Sequence, residues 1–439
     1  MKKSKIYLFL FCFFSLLIYS YSLAKYIESP IFPSLQKFTL ENGITLIYQK
    51  DSTSRITVVQ IFVKGGTFAE PKGKSGLSFL TTRLTMDLGS LSDIQKMATM
   101  GSKISVKGGF DYTTIKIECL SENFERTIRI ISKTFTKPLF SGIRIESIKK
   151  FMEAKIKREE EEPWLLIEKI HNKLRFGENN YGNPVYGTEE SLKSISKKDI
   201  KNFYKTYFQG ENIVVAVVSD LDSSLIYKVI KKHFSKIPSE EIDLKKKISV
   251  SAFLRGQSKF IYKERKQSLI MIAYPLSEIN EKDFAISYLL NVLMGKGAYS
   301  RLWRLRQREK LAYSIRSHTD LMLYAGTFRA YIEVDCESQE KGLELLKNEF
   351  KNLIENGISE EELETAKINS IASFLRENES KSKKAFTFGY FEILGLGYEY
   401  PNKFFDLIEN INLNEINDYI KKWLKPSYQI QIIIGRKSQ

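Results

Sequence analysis

The chain has 439 residues, a length that holds two or more compact domains, and carries 68 Lys and Arg against 52 Asp and Glu for a formal charge of +16. The lysines are spread along it, mostly beside glutamates, with no basic stripe interleaved with aromatics. That pattern excludes a nucleic-acid binder and reads as a solvated lysine-rich surface, while three cysteines, one near the N-terminus, exclude a zinc ribbon or a disulfide scaffold.

Lys2, Lys3 and Lys5 precede an apolar stretch over residues 6–19 and the small-x-small triplet Ser22-Leu23-Ala24. Residues 1–24 therefore read as a secretory signal peptide, which implies an exported protein, periplasmic or extracytoplasmic. The apolar stretch is short for a membrane span, and no later segment is long enough, so no transmembrane segment is expected after cleavage.

Strands at 38–40 and 45–48 flank Asn42-Gly43, a hairpin turn that supplies positive φ. A third strand covers 56–63. Leu77, Leu80, Leu84 and Leu88 set a helical period over 76–87, and a second helix runs from 92 to 100. Strands at 103–107 and 113–120 follow, then a helix over 122–135. The helical stretch 145–176 contains Pro163, which is tolerated only at a helix start, so two helices meet there. Ser196 and Asp199 form a capping box opening a helix to 208. A buried strand at 213–218 and a helix at 223–233 close this half.

Residues 238–258, with Pro238 and a charge run, read as a linker. The order then repeats: two strands, helices at 281–294 and 299–309, strands near Tyr313 and Thr327, and several helices. The repetition is visible residue by residue. Asp199-Ile-Lys-Asn-Phe-Tyr-Lys-Thr-Tyr-Phe returns as Glu415-Ile-Asn-Asp-Tyr-Ile-Lys-Lys-Trp-Leu, an offset of 216 (415 − 199). The strand end at Cys119 returns at Cys336, an offset of 217 (336 − 119). Two homologous halves, 25–237 and 259–439, follow. Each is expected to be α+β, with helices covering one face of a mostly antiparallel sheet, and the two together form a two-lobed clamp. The two cysteines, on equivalent strands, read as separate buried thiols.

Read residue by residue, the remaining polar groups carry no chemistry of their own. Glu168 and His171 have the i, i+3 spacing of a di-metal ligand pair but occur once, and read as a helix-surface pair. The acidic run 159–162 reads as a solvated face. His233 and His318 stand alone. Gly295-Lys296-Gly297 lacks phosphate-loop spacing.

The stretch Gly65-Gly66-Thr67-Phe68-Ala69-Glu70-Pro71-Lys72-Gly73-Lys74-Ser75-Gly76-Leu77 resembles the opening of the pitrilysin/insulinase-like metallopeptidases, the inverzincins. Tyr181-Gly182-Asn183-Pro184-Val185-Tyr186-Gly187-Thr188-Glu189 is similar to their post-helix loop, and Ser300-Arg301-Leu302, Arg306 and Leu311-Ala312-Tyr313-Ser314 to an element of their second half. The resemblance covers the whole chain after the leader. Active members carry H-x-x-E-H after the Gly-Leu pair: two histidines on one helix face bind zinc and the glutamate is the base. The matching positions here are Phe79, Thr82 and Arg83, and the third zinc ligand maps to Lys155. None of these can bind zinc or act as the base. The departure is complete, so no metal is expected in this chain. Paired cations at Arg83 and Lys155 suggest an ionic fill of the emptied pocket with Glu153.

The resemblance further implies that Arg306 and Tyr313 are the arginine–tyrosine pair that donates to the scissile carbonyl as it becomes an oxyanion. The gap between Arg301 and Arg306 is one residue shorter than the family pattern. Some members work as heterodimers in which one subunit holds the zinc motif and the other only this pair. The expected role is a noncatalytic partner of an exported zinc peptidase, with zinc in the partner subunit that contains H-x-x-E-H. Extended peptides would add to the edge strand Lys103, Ile104, Ser105, Val106 and Lys107. The alternative is a peptide-binding clamp or assembly scaffold with no role in hydrolysis.

Overall fold

A computed structural model describes residues 32–240 and 254–436. The leader 1–24 and most of the linker lie outside the described residues. The first half opens with β1 (Leu35–Thr39), β2 (Thr45–Lys50) and β3 (Ile56–Lys64). Then come α1 (Leu77–Thr85), α2 (Leu91–Thr99), β4 (Lys103–Gly108), β5 (Tyr112–Leu120) and α3 (Phe124–Thr136). α4 (Gly142–Glu161) and α5 (Pro163–Phe176) follow, with α6 (Glu189–Ser194), α7 (Lys197–Tyr207), β6 (Ile213–Ser219) and α8 (Ser223–Phe234). The second half runs β7 (Gln257–Tyr262), β8 (Gln267–Leu276), α9 (Glu281–Gly295), α10 (Arg301–Glu309), β9 (Ser314–Leu321) and β10 (Gly326–Asp335). It closes with α11 (Gln339–Asn356), α12 (Glu360–Glu377), α13 (Lys381–Ile393), α14 (Tyr400–Asn410), α15 (Leu413–Trp423) and β11 (Ile430–Gly435).

Local chemistry places most of these boundaries. Gly43 takes φ 84 in the β1–β2 turn. Pro163 occupies the first turn of α5, and the break from α4 falls at Glu162. Ser196 and Asp199 close a full capping box on α7, and Asn412 and Glu415 do the same on α15, its counterpart in the repeat. The second half begins at β7, so Gln257 and Ser258 belong to a strand rather than to the linker.

The first sheet has the order β1-β2-β6-β3-β5-β4 and the second β7-β11-β8-β10-β9. Remove β1 and the two orders are the same, strand for strand, which is the duplication expressed as topology. Each sheet is antiparallel apart from one parallel pair, β2 with β6 and β7 with β11. Cys119 and Cys336 are both buried and unpaired.

The expectation of helices on one face only needs correction. Every residue of β6 is buried, so both faces of the sheet must be covered. Alternate residues divide between two cores. Val215 and Val217 face the first half's own helices, with Ile128, Ile200 and Ile230. Val214, Ala216 and Val218 face the other way, together with Phe388 and Phe391 of α13 from the second half. The reciprocal contact is made by α5. Its Ile167 packs on Leu269, Met271, Ala273, Ile430, Ile432 and Ile434 of the second sheet. Each half therefore lends a helix to the other's sheet.

Polar contacts reinforce this exchange. Arg329, buried on β10, pairs with Glu168 of α5 and with Asp320, and the Tyr331 hydroxyl donates to Glu168. His171 is fully buried in the same seam, not on a helix surface as the spacing suggested. Burial and the nearby Arg329 guanidinium hold its pKa well below the usual imidazole range, so it packs as a neutral ring.

Candidate functional site

Helix α1 begins at Gly76, whose φ of 91 suits glycine, and Glu70 caps it from outside. The Glu70 Oε1 accepts from the Gly76 and Ser78 amides at 3.0 and 2.9 Å and from the Ser78 hydroxyl at 2.9 Å. Its Oε2 is buried without a partner among the described residues. Burial pushes the carboxyl up to about 8, against the pull of those hydrogen bonds. The 181–189 loop docks on this segment. Asn180 Nδ2 donates to the Phe68 and Glu70 carbonyls, each at 2.8 Å, and Ser75 Oγ to the Pro184 carbonyl at 3.0 Å. The two stretches recognised in the sequence are thus one structural unit.

That unit presents α1 to α4, and the four positions that match the zinc motif lie on these two helices. Phe79 is buried, edge-on to Tyr186 at 4.9 Å and stacked with Phe151 at 6.4 Å. Lys155 Nζ sits over the Phe151 ring at 5.3 Å. Thr82 Oγ1 is 2.8 Å from Thr113 Oγ1 and donates to the Ser78 carbonyl at 2.9 Å. Arg83 lies in the last turn of α1, where a cation suits the helix dipole, and makes no ion pair among the described residues. An aromatic cluster thus fills this place. The ionic arrangement with Glu153 is not found; Lys155 uses the Phe151 ring instead. Phe151 escaped the sequence reading, although its i, i+4 spacing to Lys155 on a helix was available.

These side chains do not fit zinc: they offer a hydrocarbon ring, a hydroxyl and two cations. Nor, among the described residues, do three His, Cys, Asp or Glu side chains come together as a metal site elsewhere.

The turn after α10 folds Arg306 back to Ala312, the residue before Tyr313. Lys310 ends that helix in the left-handed region, φ 52. Arg306 Nε then donates to the Ala312 carbonyl at 3.0 Å, beside Tyr313, with the guanidinium over the Trp303 ring at 5.2 Å. Tyr313 is 53% exposed. Its hydroxyl donates to the Asp335 carboxylate at 3.1 Å, and that bond raises its pKa above the ordinary phenol value. It therefore stays protonated, as a donor must. Arg301, by contrast, is buried and pairs with Glu362, a structural anchor for α10.

Among the described residues, strand β4 is the outer strand of its sheet and pairs only with β5. Lys103, Ser105 and Lys107 are exposed on one of its faces, while Ile104 and Val106 pack toward α1 on the other. Its free edge is open to a further strand. Among the described residues no helix is long and apolar enough to cross a membrane.

Comparison with known proteins places these features in a family. Residues 45–189 match the profile described as "Insulinase (Peptidase family M16)", and residues 194–370 the one described as "Peptidase M16 inactive domain". The chain is 25% identical over 385 residues to the "Non-peptidase homolog YmxG" of Helicobacter pylori, covering 86% of this chain and 88% of that protein. It is 22% identical over 369 residues to the "Mitochondrial-processing peptidase subunit beta" of Saccharomyces cerevisiae, covering 78% of each. Its fold superposes on a crystal structure of a "peptidase M16 inactive domain" from Pseudomonas fluorescens with a TM-score of 0.84 and 19% identity, over 92% of this chain and 98% of the other.

Proposed function

Because this chain belongs to the insulinase family of M16 peptidases, whose zinc-binding positions it has replaced, we propose that it is a noncatalytic partner subunit of an exported zinc peptidase. One observation carries the reading. The α1–α4 site is occupied by the rings of Phe79, Phe151 and Tyr186, while Arg306 is held to the Ala312 carbonyl, next in the chain to the exposed Tyr313. A chain that had lost all function has no physical need of a paired donor set held outside its core. The name of the yeast relative, a subunit of a processing peptidase, supports a two-chain arrangement, and that of the Helicobacter relative supports the loss of hydrolysis in a single chain.

In this reading the partner, a homologous subunit with H-x-x-E-H, supplies the zinc and the base. This chain supplies position and charge. An extended peptide adds to β4 through backbone hydrogen bonds, a mode tolerant of sequence. Tyr313 turns its hydroxyl from Asp335 to the carbonyl oxygen, and the outer nitrogens of Arg306, not used in the Ala312 contact, donate to the same oxyanion. Removing one such donor raises the barrier by about 3–4 kcal/mol. Copurification with the partner, followed by peptide cleavage, tests this. Arg306→Ala and Tyr313→Phe are expected to lower turnover by about 10²-fold with assembly intact. Normal cleavage by both variants would discard the role in the partner's site.

A second reading, a peptide-holding clamp without hydrolysis, is favoured by one fact: both donors are already engaged within the chain, Tyr313 by Asp335 and Arg306 by Ala312. Peptide binding without any activity on adding the partner would select it.

A further inference from the structure

On the face of the first sheet turned toward the second half, Gln60 of β3, Lys116 of β5 and Ser105 of β4 form one cross-strand row. Lys107 stands in the adjoining row of β4. The first turn of α13, with Ser382 and Lys383, leans over them, and a cavity of about 380 Å³, open to solvent on one side, lies between. α13 is held there tightly: Gly389 lies against the Phe62 ring, where an added Cβ would stand 2.1 Å from Cε2.

The cavity is cationic after its internal pairs are subtracted. Lys116 is matched by Glu118 at 3.0 Å, and the one carboxylate in the wall, Glu377, is matched by Lys296. Lys107 has no ion pair among the described residues, and Lys383 Nζ donates only to the Arg376 carbonyl at 3.2 Å. Two ammonium groups therefore border the space without a counter-charge, beside the positive end of α13. The floor is also incomplete. Gln60 is 5% exposed, lines the cavity and, among the described residues, makes no side-chain hydrogen bond; its Oε1 is fully buried, so the Nε2 donor is the end of the amide that reaches the space. Buried amides are seldom left this way in a finished core.

A strand laid along β4 sends every second side chain to this face of the sheet. We propose that the cavity is a specificity pocket for an acidic side chain, Asp or Glu, of an extended peptide added to β4. The carboxylate accepts charge-assisted hydrogen bonds from Lys107 and Lys383 and a further one from the Gln60 amide. This rests on the peptide-binding reading above and adds the class of peptide.

Fluorescence polarisation with two labelled peptides tests it: one alternating Glu with Val, the other Gln with Val. The intact chain is expected to bind the Glu peptide at least about tenfold more tightly at low salt, and the advantage to shrink as salt is added. Lys107→Gln and Lys383→Gln, both at exposed positions that leave the fold unstrained, are each expected to bring the ratio toward one. Equal binding of both peptides by the unmodified chain would overturn the pocket while leaving strand addition standing. A preference unchanged in both variants would overturn it as well, tracing the selectivity to the general positive charge. Binding of neither peptide would remove the edge-strand reading and the pocket with it.

Discussion

At the scale of single residues, two carboxyl groups are shaped by burial more than by charge partners. Asp111 joins the halves: it accepts from Tyr181 Oη and from the Leu323 amide at 3.2 Å, and burial raises its pKa to about 6. Glu70 is the stronger case, with its pKa near 8 against an ordinary value of 4.5. A carboxyl whose pKa is raised by folding contributes stability that is fully present below the unfolded pKa. For Glu70 that contribution is lost as pH climbs from about 4.5 toward 8, on the order of a few kcal/mol in total. Glu70→Gln keeps the acceptor oxygen that caps α1 and removes the titration. Thermal denaturation at pH 5 and pH 9 should therefore find the variant close to the parent at the lower pH and more stable at the higher. A variant destabilised equally at both would show that the carboxylate itself holds α1. The capping geometry needs the fold, because Glu70 is distant from any sequence cap motif. The substitutions at Phe79, Thr82, Arg83 and Lys155 needed only spacing from Gly76 and Pro163, so they were legible.

At the scale of elements, α13 is the segment whose packing decides most. Its Gly389 is helical and strains no backbone angle, yet the Phe62 ring leaves no room for a methyl group. Phe62 is fully buried and held by Phe386 and Tyr112, at 5.5 and 5.4 Å between ring centroids. Gly389→Ala should gain helix propensity and still lose net stability, by about 1–3 kcal/mol, because overpacking a close-packed core outweighs propensity. A denaturant titration measures this; a variant at least as stable as the parent would mean that Phe62 can move aside. The same rigidity keeps the N-terminus of α13 above β4 and β5. Nothing in the sequence of α13 points to the first sheet. Its apolar positions fit a helix of either half, and only the assembled packing shows that it leaves its own.

At the scale of the whole molecule, the exchange of α5 and α13 merges the halves. One continuous apolar core contains Val58 and Val218 of the first sheet, Phe388 and Phe391 of α13, and Ile272 and Phe328 of the second sheet. Two repeats sharing one core should unfold together. Calorimetry is expected to record a single transition. Ile167→Ala, a change in the first half that empties a site on the second sheet, should lower that whole transition by about 2–5 kcal/mol rather than split it. Two resolved transitions would mean that the lobes are energetically separate. In the proposed function this coupling sets β4 and the turn bearing Arg306 and Tyr313 on one shared core.

The amino-acid order alone determined the duplication, the strand and helix order, the caps and which residue types stand at the four positions that match the zinc motif. Each of these is local, written in period, spacing or residue type within one element or its copy. Which sheet each exchanged helix covers, what fills the vacated site, and where unpaired lysines gather around Gln60 were decided by tertiary structure. Most of those contacts join residues far apart in the chain, and an apolar or charged side chain carries no record of the distant surface it will meet.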